Sequence, residues 1–186
     1  MNAIDGSQDW IAAGLDALVA GGLDGVRVEV LAARLGVTKG GFYRRYRDRS
    51  ALLEAMLAAW VEGRITAIQR LTDLAPGEAP QARLREVMRL FTEQPNAHGL
   101  SIELAVRQWA RSDAGAATAV AGVDEVRLAC VAGLYERMGY SKADARACGV
   151  MFYAVIFGQE LLFLKLDAAG RDAMLEACAA VLIRPA

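Results

Sequence analysis

The 186 residues suffice for one or two domains with a sizeable core. Hydrophobic residues make up 55% of the chain, 36 residues are alanine and only four are proline, while 23% are charged, a composition that excludes disorder and favours helices. The net charge of −1 excludes a polycation, so affinity for an anionic partner has to come from local clustering.

Cys130, Cys148 and Cys178 lie far apart without a CxxC spacing, and His98 is the sole histidine. That excludes a Cys/His zinc site and a disulfide scaffold, and reads the cysteines as small core residues in a reducing compartment. No metal or cofactor is expected. The start, MNAIDGSQDW, has neither the basic nor the apolar region of a signal peptide. The most apolar run, Ala147–Gln159, has thirteen uncharged residues against the ~20 of a membrane span. A soluble cytoplasmic protein is expected.

In chain order, Ser7 caps a first helix whose inward stripe is Trp10, Ile11, Leu15, Leu18 and Val19, ended by Gly21-Gly22. A short helix fits Val28–Leu35, followed by Gly36. Thr38 caps a third, running to about Tyr46. Asp48 caps a long fourth helix reaching Leu74, with Leu52/Leu53, Met56/Leu57 and Trp60/Val61 recurring every four residues, and Pro76 and Pro80 break it. Further helices fit Gln81–Glu93, His98–Arg111, Ala114–Gly139, Ser141–Leu166 and Gly170–Ile183. Ser141 with Asp144 matches a capping box, and Asp113 reads as a cap for the helix before it. With no alternating strand pattern and no repeat, the fold class is all-α with about nine helices.

Segment 27–49 holds seven basic residues against two acidic ones, so positive charge is concentrated in this window of a near-neutral chain. Two short helices joined by a tight turn at Gly36 form a helix-turn-helix, whose second helix can enter a DNA major groove. That helix begins Thr38-Lys39-Gly40-Gly41, and each glycine costs ~1 kcal/mol of helix stability relative to alanine. Glycines suit close approach of a backbone to another molecule. Phe42 and Tyr46, four apart, face the core. Tyr43, Arg44 and Arg45 then point elsewhere and suit phosphate oxygens, while Arg34 and Arg47 face solvent.

The stretch V-x-x-L-A-x-x-L-G-V-T-K-G-G-F-Y-x-x-Y-x-x-R-x-x-L-L closely resembles the DNA-binding domain of the TetR (TetR/AcrR) family of bacterial transcriptional regulators, over roughly residues 7–60. The resemblance implies a homodimer with an N-terminal helix-turn-helix domain (1–48) and a helical regulatory and dimerisation domain (49–186). By position it implies DNA contacts from Thr38, Lys39, Gly40, Gly41, Tyr43, Arg44 and Arg45, and a phosphate contact from Arg49. The family usually opens its second helix with Thr or Ser. Here Arg27 stands in that place, losing a cap and gaining a phosphate contact.

Beyond residue 80, alanine-rich helices carry scattered large side chains. The resemblance implies a small-molecule pocket there, for which Trp60, Met88, Phe91, Trp109 and Phe152 are the wall candidates, and Arg107 and His98 polar anchors. Few charged residues are expected to point inward, which favours a mostly apolar effector. Val150, Met151, Tyr153, Ala154, Phe157, Leu161 and Leu164 cover more of a helix than one buried stripe needs and are the expected dimer seam. The expected function is a ligand-responsive regulator, most simply a repressor of a near-palindromic operator. Two rivals stand beside it. One is a helical module whose basic segment binds an acidic protein; the other is an enzyme, for which the sequence offers no convergent acid, base or nucleophile.

Overall fold

In the structure, a computed structural model, residues 6–93, 97–162 and 165–184 are described. Among the described residues the chain forms nine helices and no strand. They are α1 (Gly6–Gly25), α2 (Val28–Leu35), α3 (Lys39–Tyr43), α4 (Arg49–Thr72), α5 (Pro80–Glu93), α6 (Ala97–Trp109), α7 (Ala114–Arg137), α8 (Lys142–Leu161) and α9 (Ala168–Leu182). None is long and apolar enough to cross a membrane.

The helix boundaries follow local chemistry closely. At the expected stop in α1, Gly21 (φ −149, ψ 19) and Gly22 (φ 60, ψ −160) leave helical geometry, after which the chain adds a last turn to Gly25. Gly36 closes α2 in the left-handed region (φ 65, ψ 28), with Val37 N–H donating to the Ala32 carbonyl at 3.0 Å. Arg27 occupies the N-cap of α2 without a side-chain bond, as its chemistry dictates. Asp48 caps α4 by accepting from Ala51 N–H at 2.9 Å. Ser141 accepts from Asp144 N–H at 3.2 Å and donates its hydroxyl to the Asp144 carboxylate at 2.7 Å.

Four expectations are corrected. Thr38 makes no side-chain cap; its carbonyl accepts from Gly41 N–H at 2.9 Å instead. The third helix ends at Tyr43 rather than Tyr46, because Arg45 and Tyr46 both donate to the Phe42 carbonyl (2.9 and 3.0 Å) and tighten the chain into a turn. Asp113 caps the helix after it, accepting from Ala116 N–H at 2.8 Å. The buried face of α1 is Trp10, Ala13, Gly14, Ala17 and Leu18, while Val19 is exposed. Small residues win that face because α1 sits close to its neighbours: a Cβ on Gly14 would stand 2.6 Å from the Met56 sulfur. Ser7's side chain lies outside those described.

The chain divides into two compact units. One comprises residues through Arg64 together with Ala97–Val123; the other runs from Ile65 through α5 and from Asp124 onward. In the first unit α1 packs on α2 and α6, and α2 on α3. In the second, α9 packs on α5 and α8 around a core that includes Leu84, Met88, Tyr135, Phe152 and Ile156. Tyr135 and Tyr140 donate to the Leu182 and Arg184 carbonyls (3.2 and 3.0 Å), tying down the end of α9, and burial raises the Tyr135 phenol well above its ordinary pKa. The cysteines are free thiols; Cys148 is buried, and burial pushes its pKa up.

Contrary to expectation, charge does point inward. Glu103 is 2% exposed; Arg107 meets one of its oxygens with Nε and Nη2, both at 2.9 Å, and Arg64 Nε lies 3.7 Å from the other. Arg127 is buried too, paired to Asp124 at 2.8 Å and lying over the Tyr153 and Phe157 rings (5.9 and 5.1 Å). Arg107 is therefore held by Glu103 on its own helix. Truncating one member of a buried ion pair leaves the others without their counter-charge. Glu103→Ala is expected to lower the unfolding free energy by about 3 kcal/mol, the low end of ~3–5 because both arginines retain some access to water. Denaturant titration followed by circular dichroism checks it.

Candidate nucleic-acid interface

The candidate site is built on α3, which at five residues cannot hold itself helical in water. Phe42 supplies the anchor. It is fully buried, with the Trp10 ring 5.3 Å away edge-on and the Tyr46 ring at 5.4 Å, and Tyr46 is buried with it. With Phe42 inward, neighbouring side chains must face out. Thr38, Lys39, Gly40, Tyr43, Arg44 and Arg45 are all exposed and Gly41 is half-buried. Tyr43 is 59% exposed, its ring edge-on to Phe42. The Arg44 side chain has no hydrogen bond or ion pair among the described residues, and Arg27 is exposed at the start of α2.

The glycine pair gains nothing from the fold. A Cβ on Gly40 would meet only the Thr38 hydroxyl at 3.6 Å, and one on Gly41 only the Val37 Cβ at 3.9 Å, both ordinary contacts, and neither glycine has a positive φ. The protein itself has room for alanine at both positions.

Three basic residues already have partners. Lys39 Nζ lies 2.7 Å from Glu29 Oε1 on α2, and that bond holds the Glu29 carboxyl below its usual range, with Arg27 adding to the effect. Arg34 pairs with Asp16 on α1 and Arg47 with its neighbour Asp48, each at 3.1 Å. Arg49 is the departure from sequence reasoning. Its Nε donates to the Val26 carbonyl at 2.6 Å and its Nη2 to the Leu23 carbonyl, so the first residue of α4 clamps the α1–α2 connection. Nη1 is left for an outside oxygen.

The expected pocket residues are divided between the two units. Trp60 and Trp109 are buried in the first unit, Met88 and Phe152 in the core of the second. Trp109 lines a cleft of about 740 Å³ with Leu18, Leu104 and Gln108, and Met88 borders a small one of about 130 Å³. Among the described residues the buried Trp60 indole N–H has no acceptor. Phe91 and His98 have side chains outside those described.

Of the expected seam, Val150, Met151 and Ala154 are exposed on α8. Tyr153 and Phe157 instead turn into their own chain, stacked 6.1 Å apart and flanked by Arg127, because the period of α8 carries them towards α7. Leu161's side chain and all of Leu164 lie outside the described residues. Sequence reasoning missed Glu103, Arg127 and Glu29; the i, i+4 spacing of Glu103 and Arg107 and the i, i+3 spacing of Asp124 and Arg127 were the legible signals.

A buried aromatic under a short, cationic, glycine-opened second helix is the arrangement of a helix-turn-helix DNA-binding domain. Residues 11–56 match the sequence family described as bacterial regulatory proteins, tetR family. No curated protein sequence matches the chain. Among solved structures, a transcriptional regulator from Rhodococcus sp. Rha1 is similar at 19% identity and TM-score 0.71, covering 95% of this chain and 93% of that one. A TetR-like transcriptional regulator from Rhodococcus sp. RHA1 follows at 17% identity and TM-score 0.67, with 97% and 96% covered. The TetR family transcriptional regulator PfmR from Thermus thermophilus gives 15% and 0.67, with 94% and 97% covered. At these identities the structures share the fold. Over its helix-turn-helix the chain is thus similar to the tetR family of bacterial regulatory proteins, and over its length it shares the fold of these regulators.

Because Gly41 has internal room for a Cβ, Gly41→Ala is expected to raise the unfolding free energy by about 0.5–1 kcal/mol, the helix-propensity difference. A loss of stability in thermal melts would mean the fold, not a partner, requires this glycine.

Proposed function

We propose that this regulator binds a near-palindromic operator as a homodimer and is released from it by a small, mostly apolar effector, acting as a repressor. Residues 1–48 form the DNA-binding part and 49–186 the regulatory and dimerising part. The observation that carries the reading is α3: exposed cations and a phenol around a glycine pair for which the fold has no steric use. Lys39, Gly40 and Gly41 approach base edges, while Thr38, Tyr43, Arg44, Arg45 and Arg27 meet sugar-phosphate oxygens. Arg49 acts mainly by fixing the α1–α2 connection, with Nη1 reaching a phosphate.

Half-exposed Val150 and Met151, with Ala154 on α8 and Val181 on α9, support a seam between two copies. A two-fold axis there would present two α3 helices to successive major grooves, ~34–36 Å apart. The orphan indole N–H of Trp60 supports an effector carrying at least one hydrogen-bond acceptor. Such a ligand lowers operator affinity only by binding one conformation better than another. α4, which begins at the Arg49 clamp and runs to Thr72, is the element to transmit it.

Binding to duplex DNA should fall ~10³–10⁵-fold between 50 and 200 mM salt if the dimer neutralises about 6–10 phosphates. Tyr43→Phe and Arg49→Ala should weaken binding to all sequences alike, whereas Lys39→Ala and Gly41→Val should change which sequence is preferred. Fluorescence anisotropy against operator and random duplexes separates the two groups. A flat salt response with capture of an acidic protein would favour the interaction-module reading instead.

Met151→Glu places a charge in the proposed seam on a side chain already half exposed in the single chain, so folding should survive it. Light scattering should show the mass halving at micromolar concentration. An unchanged mass would remove this seam from the proposal.

A further inference from the structure

Lys39 opens α3 and Glu29 lies in the first turn of α2, so the 2.7 Å bond between them ties the two helices of the motif across ten residues of sequence. Little else fixes this end of α3. Thr38 offers no side-chain cap, and the first turn is the flexible glycine pair. Glu29 is also one of only two acids in the basic segment 27–49, and the other, Asp48, is occupied with capping α4 and with Arg47. A carboxylate facing a polyanion is repelled by it, so Glu29 costs affinity for any DNA. With its side chain 62% exposed, Glu29 has two local roles: as a carboxylate in the first turn it favours the N-terminus of α2, and it holds Lys39.

We propose that Glu29 is the specificity-determining partner of Lys39: by holding the ammonium at 2.7 Å it aims Lys39 at base edges and withholds it from passing phosphates. The inference rests on the DNA-binding reading above. An ammonium has three donors, of which Glu29 takes one. Two remain for groove-edge acceptors such as the O6 and N7 of a guanine, which Lys39 can meet while still bonded to Glu29. A phosphate off to the side can be reached only by swinging the four-carbon stem away and breaking the pair. Non-operator DNA, which offers mainly phosphates, therefore loses a cation that operator DNA keeps.

The test uses the full-length protein, an operator selected by the wild type from a random duplex pool, and a random duplex. Affinities are measured from 50 to 200 mM salt for the wild type, Glu29→Gln, Lys39→Gln and the double variant, with Glu54→Gln as an equal charge change elsewhere on the surface. Glu29→Gln should bind the random duplex about threefold more tightly at low salt, with a salt slope steeper by about 0.9, one further phosphate. Its operator-to-random ratio should fall roughly fivefold, the low end of what one base contact carries. In the Lys39→Gln background the steeper slope and the fall in ratio should both be absent, leaving only the gain in affinity for both duplexes that comes from removing the carboxylate's repulsion. The inference is overturned if slope and ratio stay at wild-type values, if they shift equally without Lys39, or if Glu54→Gln reproduces them. A wild type with no salt-dependent duplex binding removes the reading and the inference together.

Discussion

The burial of Phe42 is the constraint on which the candidate interface depends. A five-residue helix with two glycines in it has almost no intrinsic stability, so the outward direction of Lys39, Tyr43 and Arg44 is set by one side chain pointing the other way. Trp10 and Tyr46 close around that ring, and Trp10 belongs to α1, so the presentation of the basic face is decided by packing between helices. The Arg49 clamp works alongside it. By donating to the Val26 and Leu23 carbonyls, it fixes the backbone at and just beyond the end of α1 and ties the start of α4 to it.

Polar interactions in this chain divide by burial. Around Glu103 and Arg127 the charges are enclosed, so each depends on its partners: Glu103 on Arg107 of its own helix and on Arg64 reaching it from α4 to α6, Arg127 on Asp124 of its own helix. On the α2–α3 face the ion pairs are exposed and contribute little to stability. Their value lies in direction, since a bond that adds little to folding can still choose where a long side chain points.

The apolar surface of α8 and α9 follows a similar logic. Val150, Met151 and Val181 remain in water in the single chain, while Tyr153 and Phe157 satisfy themselves inside it. A helix that reads as apolar nearly all round thus has two different sides: an aromatic one in its own core and an aliphatic one left exposed. Alanine content alone cannot separate them, because alanine fits both.

Local sequence determined the helices, most of their caps and the basic segment, because these depend on neighbours a few residues away: Gly36 in its left-handed cap, Ser141 with Asp144, Asp48 over Ala51. Phe42 and Tyr46 as core were legible for the same reason, a spacing of four. The tertiary structure alone decided the partners separated by tens of residues. Arg49 finds carbonyls on the α1–α2 connection, Glu103 finds Arg64, and small residues win the buried face of α1 because of what stands opposite them. Periodicity reports which way a side chain points; only the packed chain brings its counterpart within a bond's length.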